Sequence, residues 1–309
     1  MAKLKTDPIT DVDLVDYLNT TSDFGFEIKV VKVLASLGFK LQHGGTYVDP
    51  VTDKPRQFDI RAVLGSNKRI IRLAVECKNL KPHFPLLVSC IPRSKSESFH
   101  DIIVSVDGER VSLLPPSEVQ QGIYCKAMEP DGKTARFRGT ASIYKAGMPV
   151  GKSCDQIGRD TQGNLTSSDS DVYEKWAQAV ASSHGLVEVA SHQARPKSAP
   201  VILSSIVPIL VVPDGMLWDA HFDNDGNRTK EPTPTSRCSF FLNKSVYVKA
   251  AMSGIDYRIS HLEFVTLTGL TELVQTLIAN DSSDLIPTKK IAAKVKRYLE
   301  TGKEKDGAI

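Results

Sequence analysis

Residues 57–78 read Gln57-Phe58-Asp59-Ile60-Arg61-Ala62-Val63-Leu64, then Gly65-Ser66-Asn67-Lys68-Arg69, then Ile70-Ile71-Arg72-Leu73-Ala74-Val75-Glu76-Cys77-Lys78. Two short apolar runs separated by turn residues predict a β-hairpin. Side chains alternate faces along a strand. In the first run Phe58, Ile60, Ala62 and Leu64 share one face, and Gln57, Asp59, Arg61 and Val63 the other. In the second, Ile71, Leu73, Val75 and Cys77 oppose Arg72, Ala74, Glu76 and Lys78. A two-residue turn at Asn67-Lys68 sets Asp59 opposite Glu76 and Phe58 opposite Cys77, so polar meets polar and apolar meets apolar. A buried face selects that register, although a slip of two residues keeps the same parity.

Two facing carboxylates repel and destabilise a sheet unless something positive lies between them. Lys78, two residues along the same face as Glu76, is one candidate, and a divalent hard cation is the other. Carboxylate oxygens suit Mg²⁺, which takes one or two carboxylates, several waters and a substrate phosphate. A lysine beside such an ion can orient or deprotonate an attacking water while the ion stabilises charge on a scissile phosphate.

Working outward, Asp23–Leu37 predicts a helix. Ser22 or Asp23 supplies the cap, Gly38 the stop, and Phe26, Val30, Val33 and Leu37 the buried stripe. Glu27 sits at the edge of that stripe and could bring a third carboxylate if the helix packs over the hairpin. Phe39–Val48 reads as a strand broken at Gly44-Gly45, and Asp49–Pro55 as a loop.

Asp59, then Glu76-Cys77-Lys78 on the next strand, preceded by a helix bearing Glu27, resembles the PD-(D/E)XK nuclease superfamily. The resemblance implies a restriction-endonuclease-like α/β fold, a mixed central sheet flanked by helices. It also implies metal ligation by Asp59, Glu76 and the backbone carbonyl of Cys77, with Glu27 assisting and Lys78 positioning water. Mg²⁺ is the implied cofactor, with Mn²⁺ able to substitute. DNA is the implied substrate, and bacterial defence or restriction the implied setting, with a homodimer or a partner subunit as possible assemblies. Phe58 stands where the family often has proline. A second Glu-x-Lys, Glu27-Ile28-Lys29, lies in the predicted helix and cannot be the strand motif.

Downstream, Pro85–Ile91 and Ile102–Val106 read as strands within a β-rich insertion spanning about 82–168, and Gly158–Ser170 reads as a loop. Ser170–Ser183 predicts a helix with Val172, Trp176, Ala179 and Val180 inward. Ile202–Val212 has the composition of a central strand covered on both faces. Gly226–Arg237 reads as a loop before a strand at Ser239–Lys249, and Leu270–Ala279 as helical. A basic helix is expected at Pro287–Leu299, so that residues 1–280 form the nuclease-like domain and 281–309 a basic helix and tail.

Arg56, Gln57, Arg61, Lys81 and Arg93 flank the candidate site and are candidates for nucleic-acid contact; His83, between prolines, is more simply a loop residue. Lys152, Gln156 and Arg159 would share a face were their stretch helical, but a polar loop is the plainer reading. Gly151-Lys152-Ser153 lacks the glycine spacing of a phosphate loop, and Asp223–Asn227 lacks the twelfth-position glutamate of a calcium loop and reads as a turn. No G-x-S-x-G occurs.

The 309 residues carry 39 basic and 36 acidic side chains, 41% hydrophobic and 24% charged residues, the profile of a globular protein rather than a fibre or disordered chain. Five scattered cysteines without a C-x-x-C pair argue against a zinc ribbon or a disulfide framework and for a reducing, cytoplasmic setting. No apolar run is long enough for a bilayer. Facing acids together with the PD-(D/E)XK resemblance imply a metal-dependent deoxyribonuclease, with a catalytically inactive nucleic-acid- or protein-binding module of the same fold as the alternative.

Overall fold

The computed structural model describes residues 6–65, 69–106, 123–126, 132–138, 143–168, 170–191, 201–249 and 254–279. In chain order the helices are α1 (Asp11–Thr20), α2 (Phe24–Ser36), α3 (Ser170–Ser191) and α4 (Leu267–Ala279). The strands are β1 (Lys40–His43), β2 (Thr46–Val48), β3 (Pro55–Gln57), β4 (Ile60–Gly65), β5 (Arg69–Cys77), β6 (Leu86–Pro92), β7 (Phe99–Val106) and β8 (Ile123–Lys126). They continue with β9 (Gly132–Arg138), β10 (Pro149–Arg159), β11 (Leu165–Ser168), β12 (Val201–Val212), β13 (Leu217–Phe222), β14 (Arg228–Pro234), β15 (Arg237–Lys249) and β16 (Gly254–Thr266).

Fourteen strands form one mixed sheet, ordered β1-β4-β5-β12-β16-β15-β10-β6-β13-β14 along its main path, and β2 with β3 makes a separate ribbon. The architecture is mixed α/β. Helices α2 and α4 cover one face: Phe26, Val30 and Leu34 meet Leu273 and Val274 over Ile60, Leu73, Val75 and Cys77. Helix α3 covers the other face, setting Val180, Leu186 and Val187 against Ala74 and Ile206. Its N-terminal half sets Val172 and Ala179 against Val88, Leu210 and Phe264. No described helix is long and apolar enough to cross a membrane.

The hairpin forms in the expected register. Strands β4 and β5 pair Ile60 with Val75, Ala62 with Leu73 and Leu64 with Ile71; the turn at 66–68 lies outside the described residues. The first strand is shorter than expected because the chain bends at Phe58-Asp59. There Phe58 N–H donates to the Gly45 carbonyl, and Gly44 N–H to the Asp59 carbonyl, where β1 gives way to β2. Gly45 adopts φ 151°, and a Cβ on it would come within 2.6 Å of the Phe58 ring, so the expected break at Gly44-Gly45 is what the bend requires.

Strand β12 organises the centre. It runs parallel to β5 from Leu203 to Val211, while its other edge meets β7 at Val201–Ser204 and β16 at Ile209–Val212. Pro208, which has no N–H to give, falls where β12 passes from one neighbour to the other. The Tyr257 hydroxyl fills that split, donating to the Asp101 carbonyl at 2.9 Å and receiving Ile206 N–H at 3.4 Å.

Within 82–168, β6, β7 and β10 are strands of the main sheet: β6 pairs β10 and β13, and β7 pairs β12. The stretch expected as a loop from Gly158 to Ser170 instead ends β10 and forms the hairpin strand β11. Both sides of β11 face solvent, so no apolar alternation marks it, and Asp160 with Gly163 (φ 86°) makes its turn. Lys152, Gln156 and Arg159 lie on β10 rather than in a loop. Asp223–Asn227 is the β13–β14 turn, closed by Asp223 N–H to the Asn227 carbonyl. The basic helix expected at 287–299 lies outside the described residues.

Candidate functional site

Asp59 sits at the bend, one residue before the β4–β5 ladder begins. Its side chain continues the ladder in place of the backbone: Oδ2 accepts the Cys77 N–H at 2.8 Å. Its own N–H points to Glu76 Oε1 at 3.4 Å. The two acids therefore face each other as the parity reading expects, and Glu76 is fully buried beneath α3.

The cation between them is Lys175. From α3, its Nζ donates to Asp59 Oδ2 at 2.9 Å and Oδ1 at 3.2 Å, and lies 3.7 Å from Glu76 Oε2. Sequence reading missed this residue, yet a signal was present. Lys175 follows Val172 by three residues and precedes Ala179 by four and Ser182 by seven, and all three are buried. A lysine on that flank of an inward-facing stripe is aimed at the sheet rather than at water.

The electrostatics follow from burial. Desolvation, reinforced by the Asp59 charge and only partly offset by Lys175, pushes the Glu76 carboxyl up to about 9. Burial works to lower the Lys175 ammonium, but Asp59 and Glu76 outweigh it and hold it above the ordinary lysine value. Tyr47 of β2 is pushed up to about 12, first by burial and then by the charges of Glu76 and Asp49. Glu76 Oε2 is buried and has no hydrogen-bond partner.

The remaining sequence candidates divide. Lys78 lies just past the end of β5, its Nζ 3.8 Å from Asp23 Oδ2 at the start of α2. Asp23 Oδ1 also accepts the Asn79 N–H at 2.8 Å, which ties the motif strand to α2. Glu27 lies on the opposite face of β5 from Lys175 and engages His43 Nε2 at 3.0 Å. Cys77 is buried against α2, and desolvation raises its thiol well above the usual cysteine range.

Arg61 is built into the fold, its guanidinium donating to the Ser182 side chain and carbonyl and lying 4.4 Å from the Phe58 ring centre. Arg93 is buried just past β6, which β12, β16, β15 and β10 separate from β5, and it is bonded to the carbonyls of Lys145 and Pro149 and lies over the Tyr144 ring. Gln57 is exposed on β3, Lys81 and His83 lie in the loop before β6, and Arg56 pairs with Asp49 at 2.9 Å.

Two facing carboxylates form a hard-oxygen donor set of the size Mg²⁺ uses. Glu76 Oε2 receives no hydrogen bond and has only the Lys175 ammonium near it, at 3.7 Å. Ligation requires Glu76 to lose its proton and Lys175 to yield part of its place between the acids. Among the described residues no three His, Cys, Asp or Glu side chains are grouped to hold a metal. Waters and substrate oxygens would therefore complete the shell. No protein-family model matches the chain, and no curated protein or solved structure matches it significantly.

Proposed function

We propose that the chain is a metal-dependent nuclease that hydrolyses DNA phosphodiester bonds on a restriction-endonuclease-like core of α2, the β1–β4–β5–β12 strands and α3. The supporting observation is Glu76, fully buried, facing Asp59 with one oxygen that receives no hydrogen bond and a lysine between the two. A buried acid held mostly protonated is costly to retain for stability alone, and perturbed titratable groups cluster at working sites.

In this reading Asp59 and Glu76 would hold Mg²⁺, which supplies neutralisation of the charge growing on the scissile phosphate. Lys175, rather than Lys78, orients the attacking water, because its ammonium lies 2.9 Å from Asp59 Oδ2 and 3.7 Å from Glu76 Oε2. Lys78 and Asp23 fix the end of β5 on α2 and so position Glu76.

A second reading has one observation in its favour. Lys175 already neutralises Asp59 and approaches Glu76, which makes a closed ion pair sufficient for a non-catalytic binding module of the same fold. Incubating supercoiled plasmid and circular single-stranded DNA with the protein and Mg²⁺ or Mn²⁺ separates the two. The nuclease reading expects nicking that disappears in Asp59→Ala and falls at least 100-fold in Lys175→Met. A folded protein that cuts neither substrate with either metal is the binding module.

A further inference from the structure

On the flank of α3 away from Lys175 lies an open groove of about 790 Å³ between α3, the loop joining β2 to β3, and β15. Tyr173 and Tyr247 stand on its walls, 54% and 63% exposed, a high fraction for rings with no role in the core. Tyr173 is braced edge-on against Trp176, with ring centres 4.7 Å apart, so its face is held at a fixed angle. Lys244 projects at the rim from β15 and forms no ion pair among the described residues. His184 lines the floor, its Nε2 3.3 Å from the Tyr247 carbonyl. Arg56 joins from β3; its charge is matched by the buried carboxylate of Asp49.

We propose that this groove binds single-stranded nucleic acid, with bases stacked on Tyr173 and Tyr247 and a backbone phosphate at Lys244. One braced and one exposed aromatic face beside a lysine with no ion pair among the described residues form the arrangement that suits unpaired bases, since every base offers a π-face once it leaves the stack. A duplex keeps those faces covered. A small-molecule pocket encloses most of its ligand, whereas this groove is half open and leaves the Tyr173 and Tyr247 rings on its walls exposed. The groove shares α3 with the acids, because Tyr173 and Trp176 line it while Lys175 between them reaches Asp59. The inference rests on the nuclease reading only in naming the strand that site would receive.

Fluorescence anisotropy with labelled oligo-dT and oligo-U of twelve nucleotides, and a duplex of equal length, all in EDTA, tests it. Both single strands, or one of them, should bind at least tenfold more tightly than the duplex, and the two arms tell DNA from RNA. Tyr173→Ala and Tyr247→Ala should each weaken binding between about 5- and 100-fold, with phenylalanine restoring most of it. Lys244→Ala should reduce the log–log salt slope by about 0.7. Equal affinity for the duplex overturns the proposal, as do alanine variants that keep their circular dichroism and bind unchanged. Chain dimerisation dispersed by Tyr247→Ala, without oligonucleotide binding, overturns it as well. Because binding is read in EDTA and cleavage with Mg²⁺ or Mn²⁺, intact binding with no cleavage in the metal assay sinks the nuclease reading alone, and cleavage there without this binding sinks the groove alone.

Discussion

Lys175 places its ammonium 2.9 Å from Asp59 Oδ2 across 116 residues of chain, and this contact joins α3 to the bend where the hairpin begins. Deleting the charge leaves the Asp59 side chain without its cation, beside a buried Glu76 that keeps its proton, in a site with little water. Removing one partner of a buried ion pair costs about 3–5 kcal/mol. Lys175→Met should therefore lower the urea midpoint strongly, and Asp59→Asn in the same chain should recover most of the loss by removing the unpaired charge. If the double variant is no more stable than Lys175→Met, Asp59 is not what the lysine compensates.

The buried Glu76 makes stability depend on pH. Its carboxyl is raised from 4.5 to about 9, so the folded chain holds a proton that the unfolded chain releases. That contribution is fully present below about 4.5 and is lost as pH rises through about 9, with a slope of at most about 1.4 kcal/mol per pH unit. Denaturant midpoints measured from pH 5 to 9 should fall more steeply in the unmodified chain than in Glu76→Gln. Because ligation needs the deprotonated acid, thermal stabilisation by Mg²⁺ should be larger at pH 9 than at pH 6. Parallel pH profiles for the two proteins would refute the buried proton.

The hairpin register and the facing of Asp59 and Glu76 were legible because period-two alternation is a local signal, and only one pairing buries the apolar set. Helix α2 was legible from its stripe and from Gly38, which adopts φ 87° as a helix-ending glycine. The partner of the acids was not. The sequence offered Lys78 at the right parity, but β5 ends at Cys77 and the chain turns toward Asp23, so parity no longer aims the side chain. Helix α1 was missed because none of its residues is buried, although Thr10 and Asp13 form a reciprocal capping box. Strand β16 was also missed. Its Ser260, His261 and Glu263 are buried polar residues that break the apolar run; Arg237 and Ser239 of β15 hold Glu263, and Tyr144, far back in the chain, stacks on His261.

The first turn of α4 leaves no room beyond a hydrogen atom. A Cβ on Gly269 would fall 1.8 Å from the Ser236 carbonyl oxygen, which also accepts the Thr266 N–H that closes β16 into the helix. Neither group can retreat without losing that bond. Gly269→Ala should cost more than the about 1–3 kcal/mol usual for overpacking, despite alanine's better helix propensity. Gly25→Ala, where a Cβ meets nothing within 4 Å, serves as the control and should be neutral or slightly stabilising. Similar urea midpoints for the two variants would remove the steric explanation.

His261 on β16 is a second source of pH dependence, acting in the opposite direction. Its ring is stacked 3.7 Å from Tyr144 and edge-on to Phe241, and both ring nitrogens are buried without a hydrogen-bond partner. Desolvation, with Arg93, His100, Lys152 and Arg237 adding positive charge around it, lowers its titration to about 2. Glu263 is close by but is taken by Arg237 Nε at 2.7 Å and by Ser239, so it does not compensate a proton on the ring. The folded chain therefore keeps His261 neutral while the unfolded chain takes up a proton below about 6.5. Stability present above that pH is lost as pH falls toward 2. His261→Phe removes the titration and the two orphaned nitrogens while keeping the ring stack. Its advantage over the unmodified chain should widen steadily as urea midpoints are taken from pH 7.5 to 4.5, and a gap that stays constant across that range would mean the imidazole is not excluded from its proton.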